Sequence, residues 1–329
     1  MNDIKLSIVI PVYNAAVHLP GLFGMLAAQT DRRFEAVLVN DGSTDESLAL
    51  MRVAAENTEL NIVIITQPNS GVSAARNAGI RAASAEYITF VDADDAISED
   101  FAEARIRHAD CGLCVYPHSR TVNAAPVFEK RGGNVEEKTG ETMLRALLSE
   151  PTLFGVYDLV IRRDLLVNAD IRFAEGWKYY EDYDFILRVF NVCKSAKYVD
   201  LCNYCYKAAE GSAMNVFNTE RLLCLQLFDN EHSLYLKDRH EYHADFVKWF
   251  SARIKWSVMW QACVAMPLRE ARAFGKKHGM NAAMRSLLDY PDRRVSLSAA
   301  AYLVCPWAYA LIMRRMGRRR TLIPDDSEQ

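Results

Sequence analysis

Three carboxylates in four residues follow an apolar run in this sequence. The run is Tyr87–Val91, and Asp92, Asp94 and Asp95 come directly after it. Charges so close together repel one another unless a cation lies among them, and oxygen ligands suit Mg²⁺ or Mn²⁺ with a diphosphate completing the shell. The simpler alternative is a solvated acidic loop that caps the next helix. The spacing and the glycine of a calcium-binding EF-hand loop are absent from this stretch.

Polar residues also follow three earlier apolar runs. Pro11 and Tyr13 come after the first run, and Asp41 comes with a glycine turn after the second. Asp41 could accept a hydrogen bond from a base N–H, and a helix start favours an anion. Arg76 follows the third run among small residues, and its forked cation suits phosphate. The alternatives are an ordinary capped strand–turn–helix for Asp41 and a surface ion pair for Arg76.

An acid pair lies among aromatic residues further along the chain. Glu181 and Asp182 belong to the segment Trp177–Phe185, at the start of a helical pattern. Partial shielding by aromatic rings raises the pKa of a carboxylate and allows it to act as a general base. The alternative is a helix start whose acids complement the helix dipole.

The segments that must position these residues alternate between the hydrophobic pattern of a strand and that of a helix. Short apolar runs typical of buried strands lie at Leu6–Pro11, Ala36–Val39, Asn61–Thr66 and Tyr87–Val91, with helical spacing between them. Strands that alternate with helices predict an α/β fold with a mostly parallel sheet, and ligands gather at the carboxyl ends of such strands. Residues 117–138 predict an excursion or a small hairpin.

The character of the chain changes near residue 215. Beyond about Thr219, long helical patterns with many aromatic residues replace the alternation. We therefore expect two domains, one over residues 1–215 and a helical C-terminal region over residues 216–329.

The composition is that of an ordinary soluble globular protein. Of the 329 residues, 50% are hydrophobic and 25% are charged, and 39 Lys and Arg against 42 Asp and Glu give a net charge of −3. This balance argues against nucleic-acid binding through bulk charge. The first residues lack the basic stretch and apolar core of a secretion signal, which predicts a cytoplasmic protein.

Eight cysteines include two pairs with CxxC spacing, Cys111/Cys114 and Cys202/Cys205. In a reducing cytoplasm we expect thiols rather than disulfides. Both pairs lie in runs with strand character, and residues three apart on a strand face opposite sides. The pattern therefore favours small buried side chains over a zinc site.

In their order along the chain, five motifs resemble one known family. PVYN, VNDGSTD, NSGVSAARNAGI, YITFVDADD and YYEDYDF are similar to motifs of the inverting nucleotide-sugar glycosyltransferases of family 2, which have the GT-A fold. The resemblance is continuous over residues 4–100, weakens until Ile171–Phe185 and resumes near Tyr204. It implies a nucleotide-sugar-binding half over about residues 1–116 and an acceptor half over about residues 117–215.

The resemblance also implies roles for residues that would bind the donor. Pro11, Tyr13 and Asp41 would line the nucleoside pocket, with Asp41 meeting a uracil-like edge. Arg76 would lie near the base or the diphosphate. Asp92 would bind the ribose.

Further implied roles concern the metal and the chemistry. Asp94 would hold a Mn²⁺ or Mg²⁺ ion on the diphosphate, and Asp182 would deprotonate the acceptor hydroxyl with Glu181 as its neighbour. Lys207 and Ser212 would lie near a loop that closes on the diphosphate. The chain departs from the family at Lys207, where Arg or His is common after the Tyr-x-Tyr run, and at the position before Asp41, where Asn replaces an acid.

The implied reaction is a single in-line displacement with inversion at the anomeric carbon, assisted by the metal at the leaving group. The implied donor is a UDP-sugar and the acceptor a glycan, on a lipid carrier in surface polysaccharide synthesis. Two alternatives are a sugar-phosphate nucleotidyltransferase, which typically has a basic Gly-rich loop after strand one, and a non-catalytic nucleotide-sugar-binding protein.

The C-terminal segment suggests a membrane surface as a partner. Ser296–Met313 contains no charge, and five arginines follow within residues 314–320. The segment is short for a membrane span and contains Pro306. Three aromatic residues favour the headgroup level: Tyr302, Trp307 and Tyr309. We expect peripheral attachment to the anionic inner face of the cell membrane; the alternatives are a buried helix with solvated arginines and a true span.

Overall fold

The computed structural model describes residues 3–129, 131–150, 153–208, 217–235 and 249–320. The chain divides into two compact units, Met1–Ala146 with Thr152–Glu210, and Leu147–Pro151 with Gly211–Gln329. In the described residues the first unit has an α/β fold and the second is helical.

Two sheets organise the α/β unit. Their strands are β1 (Leu6–Val12), β2 (Phe34–Asp41), β3 (Asn61–Gln67), β4 (Tyr87–Phe90), β5 (Ala96–Ile97), β6 (Leu113–Val115), β7 (Ser119–Val122), β8 (Val135–Lys138), β9 (Leu159–Arg162), β10 (Ala196–Val199) and β11 (Tyr204–Ala208). The large sheet has the order β3-β2-β1-β4-β9-β6-β10-β8, and the small one β5-β11-β7.

The parallel half of the large sheet positions the predicted site residues. β1 pairs in parallel with β2 and β4, and β2 pairs in parallel with β3. Every residue of β2 is buried, as expected for an apolar strand covered on both faces. Because the carboxyl ends of parallel strands share one edge, the residues after β1, β2, β3 and β4 meet there.

In the described residues, seven helices precede residue 200. They are α1 (Leu19–Ala27), α2 (Ser47–Glu56), α3 (Val72–Ala82), α4 (Phe101–His108), α5 (Gly140–Ser149), α6 (Arg163–Asn168) and α7 (Glu181–Val192). The small residues of α3 allow it to lie close to the sheet. A Cβ atom at Gly79 would come within 2.3 Å of Val9 Cγ1 on β1, so only glycine fits there without a shift of the helix.

The helical unit contains α8 (Glu220–Tyr235), α9 (Ser251–Ala265), α10 (Leu268–Lys277), α11 (Met280–Ser286), α12 (Arg293–Val304) and α13 (Pro306–Arg320). Tyr302 and Tyr309 are 3% and 1% exposed in its core. The expectation that they lie at the headgroup level is therefore wrong, because the helices bury them against each other; Trp307 stays 41% exposed. Within the described ranges, no helix is long and apolar enough to span a membrane.

Two sequence expectations need correction. Of the two alternatives for residues 117–138, an excursion or a small hairpin, the hairpin is wrong, because β7 pairs with β11 and β8 pairs with β10, in different sheets. Cys111 precedes β6 instead of lying on it, and its sulfur is 3.7 Å from that of Cys114. The two side chains thus share one side, but the described residues contain no group of three or more His, Cys, Asp or Glu side chains that could hold a metal ion.

Candidate active site

One cleft of about 560 Å³ lies at the carboxyl edge of β1, β2, β3 and β4. Six predicted site residues line it: Pro11, Tyr13, Asp41, Arg76, Asp92 and Asp94. The sheet topology therefore brings the donor-side predictions together. Of the others, Asp182 is joined to this group through Arg76, and Ser212 lies outside the described residues.

Asp41 anchors the turn after β3. One of its carboxylate oxygens accepts hydrogen bonds from Gln67 Nε2 at 2.7 Å and from the backbone N–H of Ser70 at 2.9 Å. The other oxygen accepts from the backbone N–H of Gly71 at 2.8 Å. A carboxylate has about four acceptor positions, so three protein donors leave capacity for one ligand N–H.

The end of β1 contributes an aromatic ring and a left-handed turn. Tyr13 is 53% exposed beside the cleft, so its ring has a face free for stacking. Asn14 has φ 47°, and its side-chain oxygen accepts from the backbone N–H of Thr44 at 2.8 Å. Asp45 also accepts from the backbone N–H of Ser47 at 3.0 Å. The strand–turn–helix interpretation is therefore confirmed, although the N-cap residue of α2 is Glu46 and its side chain makes no capping hydrogen bond.

Arg76 links Asp92, a predicted donor-binding acid, to the predicted base Asp182. Its Nη2 lies 2.9 Å from Asp92 Oδ1, and its Nη1 lies 2.6 Å from Asp182 Oδ1. The Arg76 side chain is 4% exposed, so the surface ion pair considered for it is wrong. Burial opposes its charge, but Asp182 and Asp92 outweigh that effect and raise the pKa of Arg76.

The acid pair begins α7. Tyr180 before it has φ 70°, a left-handed conformation that bulky residues rarely adopt outside functional sites. Desolvation and the charge of Asp92 raise the pKa of Asp182, while Arg76 opposes them. Desolvation and the charge of Asp182 raise the pKa of Glu181 to about 7. Asp184 is 1% exposed and pairs with Arg188 at 2.9 Å, so it is a structural acid.

Asp94 is the cleft acid best placed for a cation. Desolvation and the charge of Asp92 raise its pKa, and the charges of His18 and Lys207 lower it to a smaller extent. In the described part of the chain, no cationic side chain lies within ion-pair distance of Asp94. Asp92 is already paired with Arg76, so Asp94 has electrostatic capacity for a metal ion.

The comparison with known proteins identifies the family. Residues 7–167 match the model of Glycosyl transferase family 2. This segment is a family 2 glycosyltransferase domain. The Escherichia coli (strain K12) glycosyltransferase YibD is 32% identical over 213 residues, which are 61% of each chain. The minor teichoic acid biosynthesis protein GgaB of Bacillus subtilis (strain 168) is 31% identical over 212 residues, 62% of this chain and 23% of GgaB.

Solved structures confirm the fold. The S. aureus TarS 1–349 structure superposes with a TM-score of 0.62 at 20% sequence identity, covering 96% of this chain and 92% of that one. The same protein has been solved in complex with UDP-GlcNAc. The predicted GT-A architecture with a helical C-terminal region is therefore confirmed.

The cleft and the residues behind it include side chains that the sequence did not single out. His18 and Asn69 line the cleft, and both follow strand ends, which is the feature that could have revealed them. Tyr204 and Asp95 are buried behind it, where the Tyr204 hydroxyl donates a hydrogen bond to Asp95. Desolvation and the charge of Asp92 raise the pKa of Asp95 to about 7.

Proposed function

We propose that this protein is an inverting glycosyltransferase that moves a sugar from a UDP-sugar to an acceptor hydroxyl, with Asp182 as the general base. The observation that carries the proposal is the Arg76 bridge, because one guanidinium joins Asp182 to the donor acid Asp92. The proposed base thus lies at the edge of the nucleotide-sugar cleft, where an acceptor hydroxyl must arrive.

In this mechanism Asp182 accepts the proton of the acceptor hydroxyl as its oxygen attacks the anomeric carbon in line with the leaving diphosphate. Attack from the opposite side inverts the configuration. Desolvation raises the pKa of Asp182, which makes its carboxylate a stronger base, and the charge of Arg76 limits that rise. Asp184 is unsuited to this role because it is buried and paired with Arg188.

A uridine nucleotide fits the nucleoside end of the cleft. Asp41 retains acceptor capacity for a base imide, and the exposed Tyr13 ring can stack on the base. The TarS relative was crystallised with UDP-GlcNAc, which supports the same donor class here. The sugar itself is not specified by these contacts.

The acids of the cleft fit a divalent cation whose shell the donor completes. Mg²⁺ is commonly bound through one or two carboxylates plus substrate phosphates, and Asp94, with Asp92 beside it, provides such a set. The charge of Lys207 lowers the pKa of Asp94, and the backbone N–H of Lys207 donates a hydrogen bond to Asp95 at 2.8 Å, which supports a place for Lys207 near the same diphosphate. A bound Mn²⁺ or Mg²⁺ would stabilise the charge on the departing diphosphate.

The acceptor proposed here is a lipid-linked glycan of surface polymer synthesis. The teichoic acid role in the name of the relative GgaB supports that class. The helical unit adds an exposed apolar stripe on α12 and α13, formed by Leu297, Val304, Leu311 and Ile312, which are all at least 50% exposed. Burial of these exposed apolar side chains in lipid is favourable.

Basic residues adjoin the apolar stripe, and they favour the anionic inner face of the membrane. Arg315 is exposed next to Ile312, and three further arginines follow in the sequence. Arg314 is different, because it donates a hydrogen bond to the Cys263 carbonyl at 3.2 Å near the end of α9. We therefore assign membrane binding to the stripe and Arg315, without Arg314.

Vesicle sedimentation tests the membrane proposal. The double substitution Leu311→Ser/Ile312→Ser should abolish binding to vesicles that contain phosphatidylglycerol, while the wild type binds these vesicles better than pure phosphatidylcholine. Leu223→Ser is the matched control, since Leu223 is 65% exposed on α8. Equal sedimentation of all three proteins would contradict the proposal. Truncation before α12 is unsuitable, because Tyr302 and Tyr309 belong to the core.

The enzymatic proposal is tested by UDP release from a panel of UDP-sugars. Asp182→Asn should bind UDP normally and lose at least about a hundredfold in turnover. Glu181→Gln is the control for the neighbouring acid and should retain most of the turnover. Normal turnover in Asp182→Asn would move the base elsewhere. Release of pyrophosphate from UTP and a sugar 1-phosphate would indicate nucleotidyl transfer. Binding of UDP-sugars without turnover would indicate a non-catalytic protein.

A further inference from the structure

One buried hydroxyl ties the acidic loop after β4 to strand β11. The phenolic oxygen of Tyr204 accepts a hydrogen bond from the backbone N–H of Asp92 at 3.3 Å, and its hydroxyl donates to the Asp95 carboxylate. The second carboxylate oxygen of Asp95 accepts from the backbone N–H of Lys207 at 2.8 Å. The loop that presents Asp92 and Asp94 is thus attached to β11 at two points.

The turn itself is short and closed. The backbone N–H of Asp95 donates to the Asp92 carbonyl at 3.2 Å, so a shift of one residue moves the others. Asp95 is 1% exposed and does not line the cleft, whereas Asp92 and Asp94 do. Among the three acids, Asp95 therefore faces the protein interior and the other two face the ligand.

Ring packing fixes the position of the Tyr204 hydroxyl. The Tyr204 ring is fully buried and stacks on Tyr157 with a centroid distance of 4.4 Å and an interplanar angle of 3°. Its other neighbour is Phe101, at 6.4 Å. A hydroxyl held by such packing loses little conformational freedom when it bonds, which is the condition for preorganising a site.

We propose that Tyr204 and Asp95 are positioning residues for the diphosphate end of the cleft. They set where Asp94 meets the metal-bound diphosphate, and they fix the backbone from which the Lys207 ammonium group reaches the same place. The identity of this ligand rests on the proposed function. The hydrogen bonds of Tyr204 and Asp95 are present in the unliganded protein, so they can be tested without a ligand.

The first experiment measures UDP affinity by calorimetry with and without Mn²⁺. Tyr204→Phe keeps the ring stack and removes the hydroxyl. It should leave the UDP affinity without Mn²⁺ unchanged, because Asp41 and Tyr13 are untouched. It should reduce by about tenfold the increase in UDP affinity that Mn²⁺ causes, which is the metal-dependent gain. Tyr206→Phe is the matched control on β11, since its hydroxyl has no hydrogen-bond partner in the described ranges, and it should behave as the wild type.

Substitution of Asp95 separates positioning from direct metal binding. Asp95→Asn keeps an acceptor for Lys207 and should retain more of the metal-dependent gain than Asp95→Ala. If Asp95 were a metal ligand, both substitutions would abolish the gain and Tyr204→Phe would leave it intact. That pattern would overturn the proposal.

Amide hydrogen exchange of the unliganded variants tests the same contacts independently of the proposed function. Tyr204→Phe should accelerate exchange of the Asp92 amide, and Asp95→Ala that of the Lys207 amide, each by about tenfold or more. Unchanged exchange at both amides would overturn the proposal, as would equal acceleration in Tyr206→Phe. Failure of the wild type to bind UDP would contradict the proposed function alone.

Discussion

Arg76 and Asp182, which are 106 residues apart in the chain, form an ion pair of 2.6 Å beside the nucleotide-sugar cleft. The same guanidinium binds Asp92 at 2.9 Å. The proposed base and a proposed donor ligand therefore share one cation. Desolvation raises the pKa of Asp182 and the charge of Arg76 limits that rise, so we expect Arg76 to influence the pH at which the proposed base is available.

Removal of the shared cation should shift the pH dependence of turnover. In Arg76→Gln the pKa of Asp182 should rise, because the group that lowers it is gone. A base works only when deprotonated, so the acidic limb of the turnover profile should move to higher pH. Arg76→Lys keeps the charge and should shift the limb less. An acidic limb that stays in place in both variants would show that Arg76 does not tune the base.

The same substitution should destabilise the fold. Arg76 is buried, and its loss leaves two acids without their partner. We expect Arg76→Gln to lower the free energy of unfolding by about 3 kcal/mol, the lower end for a broken buried pair, since both acids are partly exposed. Urea denaturation measures this, and a change below about 1 kcal/mol would indicate a surface-like pair.

Glu181 should make stability depend on pH. Its folded-state pKa is raised to about 7 from an ordinary value of 4.5, so the fold favours the protonated acid. The native state is favoured below about pH 4.5, and this contribution is lost as the pH rises through 7. Glu181→Gln mimics the protonated form, so it should gain stability relative to the wild type by up to about 3 kcal/mol between pH 4 and pH 8.

Urea denaturation at several pH values checks this prediction. Glu56→Gln, on the exposed end of α2, is the matched control for the loss of one surface carboxylate. A constant difference between Glu181→Gln and the wild type would mean that the pKa of Glu181 is not raised in the fold.

Gly42 should be required for the shape of the nucleoside end. It has φ +70°, and a Cβ atom there would come within 2.6 Å of the Asn69 backbone nitrogen. Gly176 also has positive φ, at +80°, but a Cβ atom would meet nothing within 4 Å. Both alanine substitutions should lose about 1 kcal/mol of stability through the left-handed conformation, and Gly42→Ala should lose more and also weaken UDP binding. Equal losses would show that the turn accommodates the contact.

The first four strands could be predicted from the sequence because each is a short apolar run; β1, β2 and β4 are buried, and β3, at the edge of the sheet, is partly buried. Asn61–Thr66 was expected and β3 is Asn61–Gln67; Leu6–Pro11 was expected and β1 is Leu6–Val12. Local hydrophobicity is sufficient for such strands. The resemblance then supplied the donor-side residues, and the cleft brings all six of them together.

The other features of the site depend on contacts between residues far apart in the chain, and the sequence alone could not predict them. No spacing rule predicts that Arg76 pairs with Asp182, or that Tyr204 reaches the amide of Asp92. The error at Cys111 arose because a turn precedes β6 where the sequence has strand character. Tyr302 and Tyr309 lie on two successive helices, α12 and α13, and their rings meet at 5.2 Å in the core of the helical unit. The sequence pattern alone does not show this contact.

Proton NMR of the first product formed from a UDP-sugar tests the central claim most directly. The donor is the α-linked UDP-sugar that the wild type turns over fastest, with water as the acceptor. Because the base is proposed to direct a single displacement, the sugar first released should be the β-anomer, before mutarotation, and Asp182→Asn should not produce it at a measurable rate. Release of the α-anomer first, or undiminished release by Asp182→Asn, would contradict the account.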